Sequence, residues 1–393
     1  MKGLGDIDVA GRRVLVRVDF NVPLDDGRIV DDTRVRAALP TIENLRSRGA
    51  KVILASHLGR PKGRDPKLSL APVAAHLAAL IGAPVAVAAD VVGPDAHARV
   101  GRMAPGDVLL LENVRFESGE TANDAELSEA FASLADVYVN DAFGSAHRAH
   151  ASTEGVTHHV PELAAGLLME REVAQLGALL SEPARPLVAV LGGSKVTDKI
   201  GVIERFLDLA DAILIGGAMC FPFLSVQGHS VGASLCEQAG LEAARTALAR
   251  AGAARAALEL PVDLGLGDHL GADATRRDLD GVDVPDGWIG LDIGPRTAAA
   301  YAERIARAGT VFWNGPMGVF EQDAFAAGTR AVAQAVTATA AVTVVGGGDS
   351  IAALARFADP SAVTHVSTGG GATLELIEGR ELPGVVALEA GGG

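Results

Sequence analysis

Short apolar runs recur along this chain, and most end in glycines or a polar cluster before a helical pattern begins. In the second half the runs cover residues 186–191, 211–215, 341–345 and 363–366. They lead into Gly192-Gly193-Ser194-Lys195, Gly216-Gly217, Gly346-Gly347-Gly348-Asp349-Ser350 and Ser367-Thr368-Gly369-Gly370-Gly371. A fifth run, 310–313, leads into Asn314-Gly315-Pro316. In the first half, residues 13–18 alternate polar and apolar and break at Asp19-Phe20-Asn21-Val22-Pro23. The runs 51–55, 107–111 and 136–139 end in Ser56-His57-Leu58-Gly59-Arg60-Pro61, Glu112-Asn113-Val114-Arg115-Phe116 and Asn140-Asp141-Ala142-Phe143-Gly144. Asp31-Asp32-Thr33 reads as a helix N-cap cluster. After it Val35, Ala38, Leu39, Ile42 and Leu45 keep helical spacing until Gly49. Strands alternating with helices predict an α/β protein built on doubly wound parallel sheets.

Residues 166–180 read as one helix, followed by the break Glu182-Pro183-Ala184-Arg185-Pro186 and a new strand series. The domain boundary is placed on that helix: residues 1–165, a connecting helix 166–182, and residues 183–375. The alanine-rich stretch 326–341, punctuated by Thr, Arg and Gln, reads as helix surface.

Composition narrows the class. The 393 residues suggest two domains, and 49% hydrophobic residues with 4% aromatic ones imply a large aliphatic core. A net charge of −15 argues against general nucleic-acid binding, which draws on a basic surface. Cys220 and Cys236 cannot build a disulfide framework and read as thiols of a reducing compartment. No h-region of a signal peptide and no membrane-length apolar run is seen, so a cytoplasmic protein is expected.

Glycine loops at strand ends let backbone N–H groups close on an anion, and the helix that follows adds partial positive charge. Five of them on one sheet edge point to a nucleotide site. Neither the Walker A spacing nor the dinucleotide Gly-x-Gly-x-x-Gly spacing is present. Lys195 and Lys199, four apart, are expected on one helix face addressing one anion, with an ordinary solvated helix as the alternative. Asp349, after three glycines, suits Mg²⁺; Asp349 or Ser350 can equally serve as a helix N-cap. In the first half, strand ends deliver Arg17, Asp19, Asn21, His57, Arg60, Arg115, His147, Arg148 and His150. Arginine forks suit phosphate and carboxylate, although any one of them alone reads equally as a surface charge. Arg34 stands in the first helical turn, where a cation costs ~0.3–1 kcal/mol unless an anion sits there. His147 and His150 lack further ligands at metal spacing.

Taken as a set, these segments, together with 287–295, 313–321 and 382–388, resemble the phosphoglycerate kinase family over nearly the whole chain and in the family's order. The resemblance implies two Rossmann-like domains joined by a helix, a cleft between them, hinge closure, and a C-terminal segment, 376–393, returning to the N-terminal domain. It implies reversible phosphoryl transfer from 1,3-bisphosphoglycerate to MgADP, giving 3-phosphoglycerate and MgATP. By motif, the glycerate substrate falls to Asp19, Phe20, Asn21, Arg34, His57, Leu58, Gly59, Arg60, Arg115 and Arg148. The nucleotide falls to Gly193, Lys195, Lys199, Gly217, Gly290, Asn314, Glu321, Gly347, Gly348, Asp349 and Ser350. Mg²⁺ falls to Asp349, and the catalytic roles to Arg34, Lys195 and Lys199. Partners are then these small molecules, with no nucleic acid, no membrane and a monomeric state. Ser194 and Ser350 stand where many relatives have Ala and Thr, and 216–220 and 235–240 also depart from the usual pattern. A different class, a non-catalytic sugar-phosphate-binding module, would need only the basic first half.

Overall fold

The computed structural model describes residues 1–390 and divides into two compact units. One holds Met1–Ala174 and the chain from Glu381 onward; the other holds Gln175–Arg380. The division falls inside the helix Leu167–Ser181.

The first unit is built on six parallel strands: β1 (Arg13–Arg17), β2 (Lys51–Ala55), β3 (Val85–Val87), β4 (Val108–Leu110), β5 (Val137–Asn140) and β6 (Leu163–Ala165). Their order is β3-β4-β2-β1-β5-β6, all pairs parallel. Helices on the faces explain why β1, β2, β4 and β5 are buried almost throughout. The helix Thr33–Ser47 lays Val35, Ala38, Ile42 and Leu45 on Val14, Val16, Val52 and Leu54. Asp31 accepts the Thr33 N–H at 2.9 Å, and the N-cap Asp32 makes no side-chain cap bond but pairs with Arg36 and His76.

In the second unit β7 (Leu187–Leu191), β8 (Ala212–Ile215), β9 (Ala257–Glu259), β10 (Thr310–Asn314), β11 (Val342–Gly346) and β12 (His365–Ser367) form a second parallel sheet, ordered β9-β8-β7-β10-β11-β12. Both sheets reverse their winding beside the central strand, β1 or β7, where loops at strand C-termini diverge and leave room for a ligand. A three-stranded antiparallel sheet, Arg276–Leu279, Leu264–Gly267 and Ile289–Ile293, is added beyond the parallel pattern. Its Leu-Gly-Leu-Gly and Arg-Arg-Asp-Leu strands carry no clear apolar run.

One reading is corrected. The helix Ala327–Ala338 is not all surface: Gly328, Thr329, Val332, Ala333 and Val336 are buried. Their small side chains let it lie close on the sheet.

At the C-terminus, Leu382 and Leu388 are buried, and Gly384 N–H donates to the Ala146 carbonyl at 2.9 Å. A β-carbon at Gly384 would meet Ala146 Cα at 3.1 Å and Asn140 Nδ2 at 3.2 Å. Gly384→Val should therefore destabilise the protein by ~1–3 kcal/mol through overpacking. Val386→Ala, at a 40% exposed position, should change little. Urea unfolding checks both; an unshifted midpoint in Gly384→Val shows that the contact is looser than described.

Candidate active site

In the first unit the loops after β1, β2, β4 and β5 converge. A cavity of about 570 Å³ opens among those after β2, β4 and β5, lined in part by Arg60, Lys62, Arg115, Phe116, Arg148 and His150. Arg115 Nη1 donates to the Gly59 carbonyl, while its Nε is buried with no hydrogen-bond partner among the described residues. A buried unpaired guanidinium N–H is the sign of a site built for an acceptor.

A second group adjoins the β1 end. Arg34 Nη1 donates to Asn21 O at 3.0 Å and lies 3.3 Å from Asp19 Oδ1. Asn21 Oδ1 accepts the Gly59 N–H at 2.8 Å. Burial pushes Asp19 upward, but His57, Arg34 and Arg17 outweigh it and hold its carboxyl below the usual range. Phe20 and Leu58 are buried in the core, so they can offer a ligand only their backbone.

Arg17 is not an open strand-end cation; it is 1% exposed. Its Nε donates to Ser152 Oγ at 2.8 Å and its Nη2 lies 3.3 Å from His57 Nδ1. A guanidinium can only donate, so Nδ1 accepts and the His57 proton sits on Nε2. Burial, with repulsion from Arg17, Arg115 and Arg34, brings His57 down to about 3 against the pull of Asp19. Burial, with Arg17, Arg115 and Arg148, brings His150 to about 4. Both imidazoles are neutral at pH 7 and act as hydrogen-bonding groups.

In the second unit the glycine loops close on one another. Gly192 N–H donates to Asn314 O, and Gly193 N–H to Pro316 O, both at 3.0 Å. Gly217 N–H donates to Met317 O at 3.0 Å. Gly217 has φ +66°, and a β-carbon there would meet Gly193 N at 2.6 Å; Gly315, φ +97°, would strike the Gly192 carbonyl. Ser350 Oγ accepts the Gly315 N–H at 2.6 Å, and Asn314 Nδ2 donates to Gly346 O at 2.7 Å.

Lys199 Nζ sits inside this cluster, donating to Gly192 O at 2.6 Å and Asn314 O at 3.0 Å. Burial brings it to about 8 despite Asp349 and Asp198. Asp349 opens the helix Gly348–Phe357; its carboxylate is exposed and, among the described residues, takes no hydrogen bond. An uncommitted hard oxygen beside a phosphate-type loop fits Mg²⁺, which takes one or two carboxylates plus phosphate oxygens and water.

The two lysines do not share a helix face. Lys195 precedes a 3₁₀ turn, Val196–Asp198, and Lys199 precedes the helix Ile200–Leu209. Lys195 instead pairs with Glu237 at 3.3 Å, both about half exposed. Such a pair contributes only ~0–1 kcal/mol and is readily exchanged for a phosphate. Gly290 belongs to another wall: it lies against the Phe221 ring, on the helix that begins after Gly217. Glu321 is exposed. Sequence reasoning passed over Lys62, Phe116 and Glu117 in the cavity wall, although two of them directly follow Arg115.

The description phosphoglycerate kinase belongs to the family model that matches residues 4–380. This chain belongs to the phosphoglycerate kinase family. It is 54% identical to the phosphoglycerate kinase of Acaryochloris marina over 391 residues, covering 98% of each chain. It is 54% identical to that of Synechococcus elongatus over 387 residues, covering 97% of this chain and 96% of the relative. Among solved structures, phosphoglycerate kinase from Coxiella burnetii is similar with TM-score 0.88 at 42% identity, covering 99% of this chain and 98% of that one. The enzyme from Pyrococcus horikoshii OT3 follows at 0.85 and 33%, covering 100% and 99%. The family uses MgATP and MgADP as substrates.

The expected place of Lys199 at the nucleotide phosphates carries a pH signature. Phosphate oxygens would favour its charged form, so binding there should raise its pKa from about 8 and take up a proton. MgADP affinity should be full below that value and fall by up to roughly tenfold per pH unit above it. Calorimetry at pH 8.5 in buffers of different ionisation enthalpy should show proton uptake, abolished in Lys199→Arg. No uptake in the parent protein means that Lys199 does not meet the phosphates.

Proposed function

We propose that this chain moves a phosphoryl group reversibly between 1,3-bisphosphoglycerate and MgADP, using the basic cavity of one unit for the glycerate and the glycine loops of the other for the nucleotide. The observation that carries this division is the pairing of a cation-lined cavity holding an unpaired Arg115 Nε with a loop cluster holding Lys199 and an uncommitted Asp349 carboxylate. A sugar-phosphate-binding module would use only the first of these and leave the second without purpose.

The bond between the transferred phosphorus and the acyl oxygen breaks as a new bond forms to a β-phosphate oxygen of ADP. The leaving carboxylate and the attacking phosphate are both ionised at pH 7, so no proton moves and no general base is required. The residues position the reactants and neutralise charge on a loose transition state. Arg34 and Lys195 are assigned to that charge, and Lys199 with the amides of Gly347 and Gly348 to the nucleotide phosphates; Gly193, whose own amide is held by Pro316, contributes the absence of a side chain. Asp349 would hold Mg²⁺, which when bound supplies positive charge to the phosphate oxygens. The phosphate of 3-phosphoglycerate goes to Arg60, Arg115 and Arg148, and its hydroxyl and carboxylate to Asp19, Asn21, His57 and Arg34.

Donor and acceptor are assigned to different units, and turnover needs their reacting atoms at ~3–3.5 Å with water excluded. Among the described residues no helix is long and apolar enough to cross a membrane. A cytoplasmic monomer that binds no nucleic acid is the accompanying proposal, supported by the net charge of −15 and the small-molecule character of both sites.

A coupled assay should show ATP formation that needs both Mg²⁺ and the acyl phosphate; phosphoglycerate binding without turnover would favour the module. Arg34→Ala should lose on the order of 10²–10³ in kcat with its fold intact, as for one transition-state charge contact. Turnover within a few-fold of the parent removes Arg34 from that role. Lys195→Ala should chiefly lower kcat and Asp349→Ala chiefly raise the MgADP requirement, so identical defects in the two would sink that division.

A further inference from the structure

Arg148 lies between the 3₁₀ turns Phe143–Ser145 and Gly155–His158, on a segment with no regular element of its own. A residue outside the cavity fixes that segment. Glu120 is fully buried; its Oε2 accepts the Ser152 N–H at 3.0 Å, and its Oε1 accepts the Ser152 hydroxyl at 2.6 Å. Its backbone carbonyl also accepts the Ala151 N–H at 3.0 Å. Ser152 Oγ in turn accepts from Arg17 Nε at 2.8 Å, and Arg17 holds His57. The next residue, Thr153, donates its hydroxyl to the Arg148 carbonyl at 2.9 Å and accepts the His150 N–H at 3.1 Å. One carboxylate therefore ties together the end of β1, the imidazole of His57 and the loop bearing Arg148 and His150. It does so from behind, since Glu120 is not part of the cavity wall.

The same carboxylate answers a charge problem. Arg148, Arg17 and Arg60 repel Arg115 and Glu120 attracts it, and a closely spaced cationic set needs a counter-charge when no substrate is present. Burial raises the Glu120 pKa against Arg17, the Ser152 hydrogen bonds and Arg115, while both of its oxygens accept hydrogen bonds, the pattern of the ionised form. A carboxylate inside the cavity would occupy the substrate's place, whereas one behind it leaves that place free.

We propose that Glu120 is a positioning residue for the phosphoglycerate pocket. It fixes the loop from Arg148 to Ser152 and supplies the resident negative charge that lets these arginines share one cavity. The proposal rests on the assignment of Arg60, Arg115 and Arg148 to phosphoglycerate. Two effects of opposite sign follow. Loss of the carboxylate should weaken the shaped substrate, which needs the guanidiniums in register. It should strengthen a small undirected anion, which responds to net charge alone.

The test uses the full-length enzyme. Glu120→Gln keeps the volume but removes the charge and one of the two acceptors. Its KM for 3-phosphoglycerate should rise roughly ten- to hundredfold, the range of hydrogen bonds to a charged group. KM for MgATP should stay within about twofold, and the inhibition constant of sulfate, competing with 3-phosphoglycerate, should fall by about twofold or more. Ser152→Ala loses the hydroxyl but not the charge. It should raise KM for 3-phosphoglycerate roughly three- to tenfold with sulfate unchanged. If Glu120→Gln does not fold, Ser152→Ala decides alone. An unaltered KM for 3-phosphoglycerate, a parallel rise in KM for MgATP, or sulfate binding no tighter in Glu120→Gln overturns the proposal. Arg148→Ala is measured alongside. An unaltered KM there overturns the pocket assignment itself, whereas a loss there with a normal Glu120→Gln overturns only the role of Glu120.

Discussion

Like charges repel, and this protein must hold several cations at the ends of neighbouring strands without letting its own acids neutralise them. That constraint shapes much of the first unit. The parallel sheet supplies fixed points, because the ends of β1, β2, β4 and β5 all open on one edge. Arg17 is taken into the interior and satisfied by Ser152, His57 and the carbonyl of Val18. Glu120 sits behind the cluster, and the neighbouring imidazoles are kept neutral by burial and by the same cations. Arg60, Arg115 and Arg148 are left lining the cavity.

The second unit meets a different problem, packing several strand-end loops against one another. Its solution is steric. Gly192, Gly193, Gly217 and Gly315 approach one another so closely that a β-carbon at Gly217 or Gly315 would strike backbone atoms. Side chains then tie the loops into one body: Ser350 to Gly315, Asn314 to Gly346, and Lys199 to two carbonyls. A lysine held by neutral carbonyls in a buried place keeps its charge only weakly, which makes it responsive to an incoming phosphate.

What the sequence determined by itself was local. Period and strand length placed most strands of both parallel sheets, and the loops after them carried the chemistry, because a βα turn needs glycines or capping residues that are visible in the letters. Arg34, a cation against its helix dipole, could be singled out for the same reason. The resemblance of the motifs, in order and over nearly the whole chain, supplied the family. The strands Val85–Val87, Leu163–Ala165 and Ala257–Glu259 and the glycine-bearing antiparallel sheet stayed hidden, since their patterns are too short or too polar to stand out. The tertiary structure decided what depends on neighbours distant in sequence. It sent Arg17 inward and kept Arg115 at a cavity wall, although both are arginines near strand ends. It separated Lys195 from Lys199 by inserting a 3₁₀ turn where helical spacing would have aligned them. It joined Glu120 to Ser152, 32 residues apart, in a bond no spacing rule anticipates. Burial and charge belong to the assembled environment of a residue, and so the roles that rest on them became legible only once the chain was folded.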